Sequence, residues 1–126
     1  MMVSGQFSIA FTPATDDVID AGRMSFTKTF EGDISGVSQG QMLSKRTSVA
    51  NSAAYVAMES FSGVINGLKG EVSFHHTGVM NRGADTLSVL VVPDSGTGEL
   101  TGISGSMTIK IEAGVHHYHF DYVINA

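Results

Sequence analysis

A chain of 126 residues, 42% hydrophobic and 15% charged, can bury one substantial core and is neither disordered nor highly charged. Its net charge of −5, with seven basic residues, argues against nucleic acid, because a phosphate-binding face needs clustered Lys and Arg and the one cluster is Lys45-Arg46. The absence of cysteine excludes disulfides, thiol catalysis and thiolate metal sites, and fits a reducing compartment.

The first residues, MMVSGQFSIAFTP, lack the positive region of a signal peptide, and Ser4, Gln6 and Ser8 break up their apolar content. The apolar stretch Leu90 to Val92 stops at Pro93, so no membrane-spanning helix is expected and a soluble cytoplasmic protein is. The dominant hydrophobic period is two. Phe7, Ile9 and Phe11 alternate with Gln6, Ser8 and Ala10, and Met24, Phe26 and Phe30 alternate with Ser25, Thr27 and Thr29. Met107, Ile109 and Ile111 follow the same rule, as do Tyr118, Phe120, Tyr122 and Ile124. Such alternation marks half-buried antiparallel strands, predicted near 4–12, 22–31, 34–47, 52–62, 68–80, 84–93, 104–113 and 115–125. The alanines of 49–60 admit a helix, but Tyr55, Ala57, Glu59 and Phe61 keep the period of two, and a strand is the better fit.

Glycine, at 15 residues against two prolines, is read by position. Phe30-Glu31-Gly32-Asp33-Ile34-Ser35-Gly36 is echoed by Phe61-Ser62-Gly63-Val64-Ile65-Asn66-Gly67 and again at Gly98-Glu99-Leu100-Thr101-Gly102. These copies mark successive corners of one sheet, where positive-φ positions permit a reversal or a bulge. Asp94-Ser95-Gly96-Thr97-Gly98-Glu99 lacks the Lys and the helix of a phosphate loop and reads as a hairpin turn. Eight strands of this length form a sheet that twists and closes to remove its edges. The expected fold is all-β, a closed antiparallel barrel of about eight strands filling one domain, residues 1–126, with a sandwich as the alternative.

Several segments occur in a recognisable order. They are Thr27-Lys28-Thr29-Phe30-x-Gly32, Tyr55-Val56-x-Met58-Glu59 and Phe74-x-His76-x-Gly78, then Val91-Val92-Pro93-x-Ser95-Gly96-Thr97-Gly98-Glu99-Leu100 and Tyr118-x-Phe120-Asp121-Tyr122. Spread over nearly the whole chain, they resemble a bacterial family of small proteins of unknown function whose barrel is similar to that of plant allene oxide cyclase. The resemblance implies a cyclase-like antiparallel barrel and transfers no activity.

Lys28 interrupts the apolar phase of Met24, Phe26 and Phe30, and Glu59 interrupts that of Ala57 and Phe61, with Tyr55 on the same side. Opposite charges inside a barrel need partners. They form either a polar focus for a ligand or a buried structural salt bridge. His76 shares its phase with Val72 and Phe74, and is either a satisfied core-edge histidine or a base in the barrel mouth. Ser88 completes the candidate interior set of Lys28, Tyr55, Glu59 and His76. His117, His119 and Asp121 share a strand face and could hold a divalent metal if a neighbouring strand supplied another ligand. A solvent-facing polar stripe explains them as well. The leading expectation is a small-molecule-binding barrel with an apolar ligand and no cofactor. An isomerase or cyclase acting through Glu59 or His76 is the alternative, as is a structural homo-oligomer. Homo-oligomerisation is expected, with a dimer favoured.

Overall fold

Strands form where side chains alternate between apolar and polar, because a pleated backbone sends successive residues to opposite faces. In the computed structural model, which describes residues 1–14 and 22–125, these segments build eight strands. They are β1 (Met2–Pro13), β2 (Gly22–Gly32), β3 (Ile34–Arg46), β4 (Ala53–Ile65), β5 (Leu68–Asn81), β6 (Ala84–Val91), β7 (Ile103–Glu112) and β8 (Val115–Ile124). Each strand pairs antiparallel with the next, and β8 returns to β1, so the sheet closes into a barrel. A sandwich is thereby excluded, and the 49–60 segment is, as expected, not a helix: a short turn ends at 52 and β4 runs from Ala53. Among the described residues no helix is long and apolar enough to cross a membrane.

The corners of the glycine repeat gather at one end, called here the base. Asp33 separates β2 from β3, and Asn66-Gly67 turns β4 into β5 with φ of 50° and 81°. Two consecutive left-handed residues are what a two-residue hairpin requires, and Asn-Gly supplies them at least cost. The third copy behaves differently. Residues 92–102 form a long connection rather than the expected hairpin turn, with a short 3-10 helix at Gly98–Leu100. The barrel end needs an apolar stopper, and Leu100, fully buried, is that residue.

Above Leu100 the base half is filled by Phe7, Phe30, Phe61, Phe74, Tyr118 and Phe120 among others. The rings of Phe30 and Phe61 meet edge to face at 5.5 Å, as do those of Phe74 and Phe120 at 5.7 Å, an arrangement aromatic quadrupoles favour. The Tyr118 hydroxyl ties this half to the β2–β3 corner, accepting from the Ile34 amide at 2.7 Å and donating to the Glu31 carbonyl at 2.9 Å.

The opposite end, the mouth, is less completely closed. β6 and β7 share only the pairs Val89–Met107 and Leu90–Ser106. Nearer the mouth, β6 continues to pair with β5 and β7 with β8, so a seam opens in the wall between 84–88 and 108–112.

Removing the stopper should unseat the base. Leu100→Ala is expected to cost about 2–5 kcal/mol, the range for truncating a fully buried leucine. Urea unfolding of the variant measures it, and a loss below about 1 kcal/mol would mean that residues 92–102 do not plug the barrel.

Candidate functional site

The boundary between filled base and open mouth is a layer of polar side chains. Lys28 on β2, Ser38 on β3, Glu59 on β4 and His76 on β5 all take the inward phase of their strands and are all buried. Register brings them together: Lys28 lies opposite Ser38, Gly40 opposite Glu59, and Ala57 opposite His76. Four successive strands therefore deliver one group each to the same level.

Glu59 is the hub. Its Oε1 accepts from Lys28 Nζ at 2.8 Å and from His76 Nε2, while Oε2 accepts from the Ser38 hydroxyl. Burial alone would push its carboxyl up. The His76 hydrogen bond and the Lys28 charge more than reverse this, bringing it down from 4.5 to about 2. The ammonium of Lys28 also sits over aromatic faces, 4.8 Å from the centre of Phe7 and 5.4 Å from that of Phe26. Ring faces carry negative potential and help hold a cation out of water.

Two polar atoms near this layer remain free. His76 bonds Glu59 through Nε2, and its Nδ1 makes no hydrogen bond to any described residue. Since among the described residues no enclosed side-chain nitrogen or oxygen lacks a partner, solvent reaches Nδ1. The Tyr55 hydroxyl is in the same position, half-buried and without a protein partner among the described residues. Its ring covers Gly78, where a methyl group would overlap it, so glycine at 78 is what lets the Tyr55 ring lie against β5. Burial, then the negative charge of Glu59, raises the Tyr55 phenol above 10.0, keeping it a protonated donor.

Toward the mouth, inward-phase apolar side chains are lined up but not packed. Phe11 is 49% exposed, Leu87 42% and Ile111 62%. Leu87 and Ile111 flank the β6–β7 seam. The interior thus has a filled base and a polar floor, and the exposed apolar side chains above that floor mark the part of the mouth called here the cup.

Lys28, Tyr55, Glu59 and His76 are brought together by the fold. Ser88 is not. Val89 and Val91 take the inward phase of β6, so Ser88 points outward beside Thr77 and cannot line the interior. The missed member is Ser38, fully buried, detectable only as a hydroxyl on the inward phase of Ile34, Gly36, Gly40 and Met42. His117, His119 and Asp121 lie on the outer face of β8. Their cross-strand neighbours are Gln6, Lys110, Ser4 and Thr108 for the two histidines, and Met2 and Ser106 for Asp121. No carboxylate or imidazole arrives from a neighbouring strand to complete a metal set, and no group of three or more such ligands occurs among the described residues.

Because breaking a buried pair strands one charge, Glu59→Gln is expected to cost about 3–5 kcal/mol, with Lys28→Met/Glu59→Gln recovering part of the loss. Denaturant unfolding of the two single variants and the double measures this, and strict additivity would disprove the coupling. A depressed carboxyl stabilises the fold above its unfolded value and loses that contribution as pH falls through the folded one. Wild-type stability should therefore drop between pH 4.5 and about 2 with a component that Glu59→Gln lacks.

No curated protein matches the chain. A crystal structure of a protein of unknown function from Shewanella oneidensis MR-1 matches it with a TM-score of 0.93 and 40% identity, over 100% of this chain and 98% of that one. That protein is a member of the DUF3224 family, proteins of unknown function, and the profile of the same family matches residues 3–122 here. The chain belongs to the DUF3224 family.

Proposed function

We propose that this barrel binds a small apolar molecule carrying a hydroxyl group, held in the cup above the Lys28–Ser38–Glu59–His76 layer. The observation that carries the reading is the exposure of Phe11, Leu87 and Ile111 on the inward phase, since apolar side chains lining an unfilled concavity are the usual wall of a ligand site. The polar floor supplies orientation. In the tautomer whose ring proton lies on Nε2 toward Glu59, His76 offers Nδ1 as an acceptor, and Tyr55 offers its hydroxyl as a donor. A ligand hydroxyl, which both donates and accepts, complements the two. The β6–β7 seam gives lateral access for such a molecule. A cytoplasmic setting fits a chain without cysteine.

A second reading, acid–base catalysis in the same cup, is favoured by the Glu59–His76 contact. A carboxylate that fixes the tautomer and orientation of an imidazole is how many general bases are prepared. An isomerase-type proton transfer would then use Nδ1 as the base.

The binding reading is tested with 1-naphthol and naphthalene, which share an apolar body and differ by one hydroxyl. By titration calorimetry, 1-naphthol is expected to bind about tenfold more tightly, the worth of about 1.4 kcal/mol from its hydrogen bonds. Tyr55→Phe should narrow the difference while leaving thermal stability nearly unchanged. Equal affinity for the two probes, or no binding of either, would refute the proposal. In a chain without cysteine, Ile111→Cys should react with a bulky maleimide and thereby lose 1-naphthol binding. Undiminished binding after labelling would place the site elsewhere.

A further inference from the structure

The outer wall of β1–β5 carries a groove of about 960 Å³ that the barrel interior does not explain. Its lining is mostly outward-phase side chains. Ser25, Gln41, Met58 and His75 form one row across successive strands, and Leu43 pairs with Val56 in the next. Leu43, Val56 and Met58 are each about half exposed, an unusual concentration of large apolar groups on the outside of a sheet. Among the described residues no Asp or Glu lines the groove, and Arg23 lines one edge of it, although the chain carries a net charge of −5.

We propose that this face joins two copies of the chain in a two-fold dimer centred on Met58. Three features support a second copy as the occupant. The first is charge. Two acidic molecules repel over most of their surfaces, and in a two-fold contact each patch meets itself. A patch whose described lining holds no carboxylate is where that meeting brings the fewest negative groups together. The second is shape. The twist of a closed sheet makes its wall a hyperboloid, hollow along one direction and convex across it. A two-fold axis lying in the contact plane at about 45° to the strands turns one sheet across the other, seating the ridge of each in the hollow of its mate, as in orthogonal sheet packing. The third is area. A standard interface takes about 800 Å² from each partner, near a tenth of the 7646 Å² surface of this chain, and the groove draws its lining from five of the eight strands. Amide, hydroxyl and imidazole groups from Gln41, Ser25 and His75 surround the apolar centre as a rim able to hydrogen-bond.

Analytical ultracentrifugation and native mass spectrometry of the purified full chain test this. The wild-type chain is expected to sediment as two copies at micromolar concentration. Met58→Glu places like charges face to face at the axis and should weaken pairing at least 100-fold, with an unchanged far-UV circular dichroism spectrum because the residue points outward. Val123→Glu, an equally exposed change on the outer face of β8, should leave the dimer intact. If Met58→Glu is poorly folded, Met58→Cys serves instead. In a chain with no other thiol, mild oxidation should cross-link the dimer through residue 58, while Val123→Cys should not. A monomeric wild type, a Met58→Glu chain that still pairs, loss of pairing in Val123→Glu, or a Met58→Cys chain that folds but does not cross-link would each overturn the proposal.

Discussion

A buried carboxylate surrounded by aromatic rings persists only where other strands bring it partners, and the level at which Glu59 sits is where β2, β3 and β5 each do so. Lys28 supplies charge, Ser38 a hydroxyl and His76 a ring proton. If any strand slipped by one residue, its contribution would turn to the outside, because the side-chain period is two. The polar layer therefore disfavours alternative registers as well as serving as the floor of the cup. The layer also divides the interior. Below it, aromatic packing around Tyr118 leaves the base filled. Above it, Phe11, Leu87 and Ile111 stay substantially exposed.

Much of this was legible from residue order. Strand positions follow from alternation, and Lys28, Glu59 and His76 stand out because each interrupts an otherwise apolar phase. Ser38 does not stand out. A serine among glycines on β3 has no contrasting neighbour to flag it, and its role emerges only from the pairing of Lys28 with Ser38. Ser88 departs from its expected interior place for the opposite reason. Residues 87–92 carry apolar side chains on both phases, so nothing local says which one faces in. The 92–102 connection looked like a turn because its glycines are turn residues. The requirement that overrode this reading, closing the barrel base, is a property of the assembled sheet and of no single segment.

The two faces of the sheet follow different rules. The inner face is specified by burial, and its polar residues are few and fully engaged, apart from Tyr55 and His76 at the edge of the cup. The outer face of β1–β5 carries hydroxyls and amides, as solvent-facing strands do, interrupted by Leu43, Val56 and Met58. Because successive residues on one strand serve opposite faces, β4 takes part in both features at once. Glu59 and Tyr55 point into the cup while Met58 and Val56 point into the groove.

The β6–β7 seam gives the barrel an uneven resistance to opening. Six pairs hold β1 to β8, against two between β6 and β7. Local openings are least costly where few backbone bonds must break. Amide exchange should therefore be fastest along 84–88 and 108–112 and slowest along β3, β4 and β5, where pairing is continuous. In these terms the molecule is less a rigid cylinder than a curled sheet clasped along one short hem, able to loosen at that hem without giving up its core.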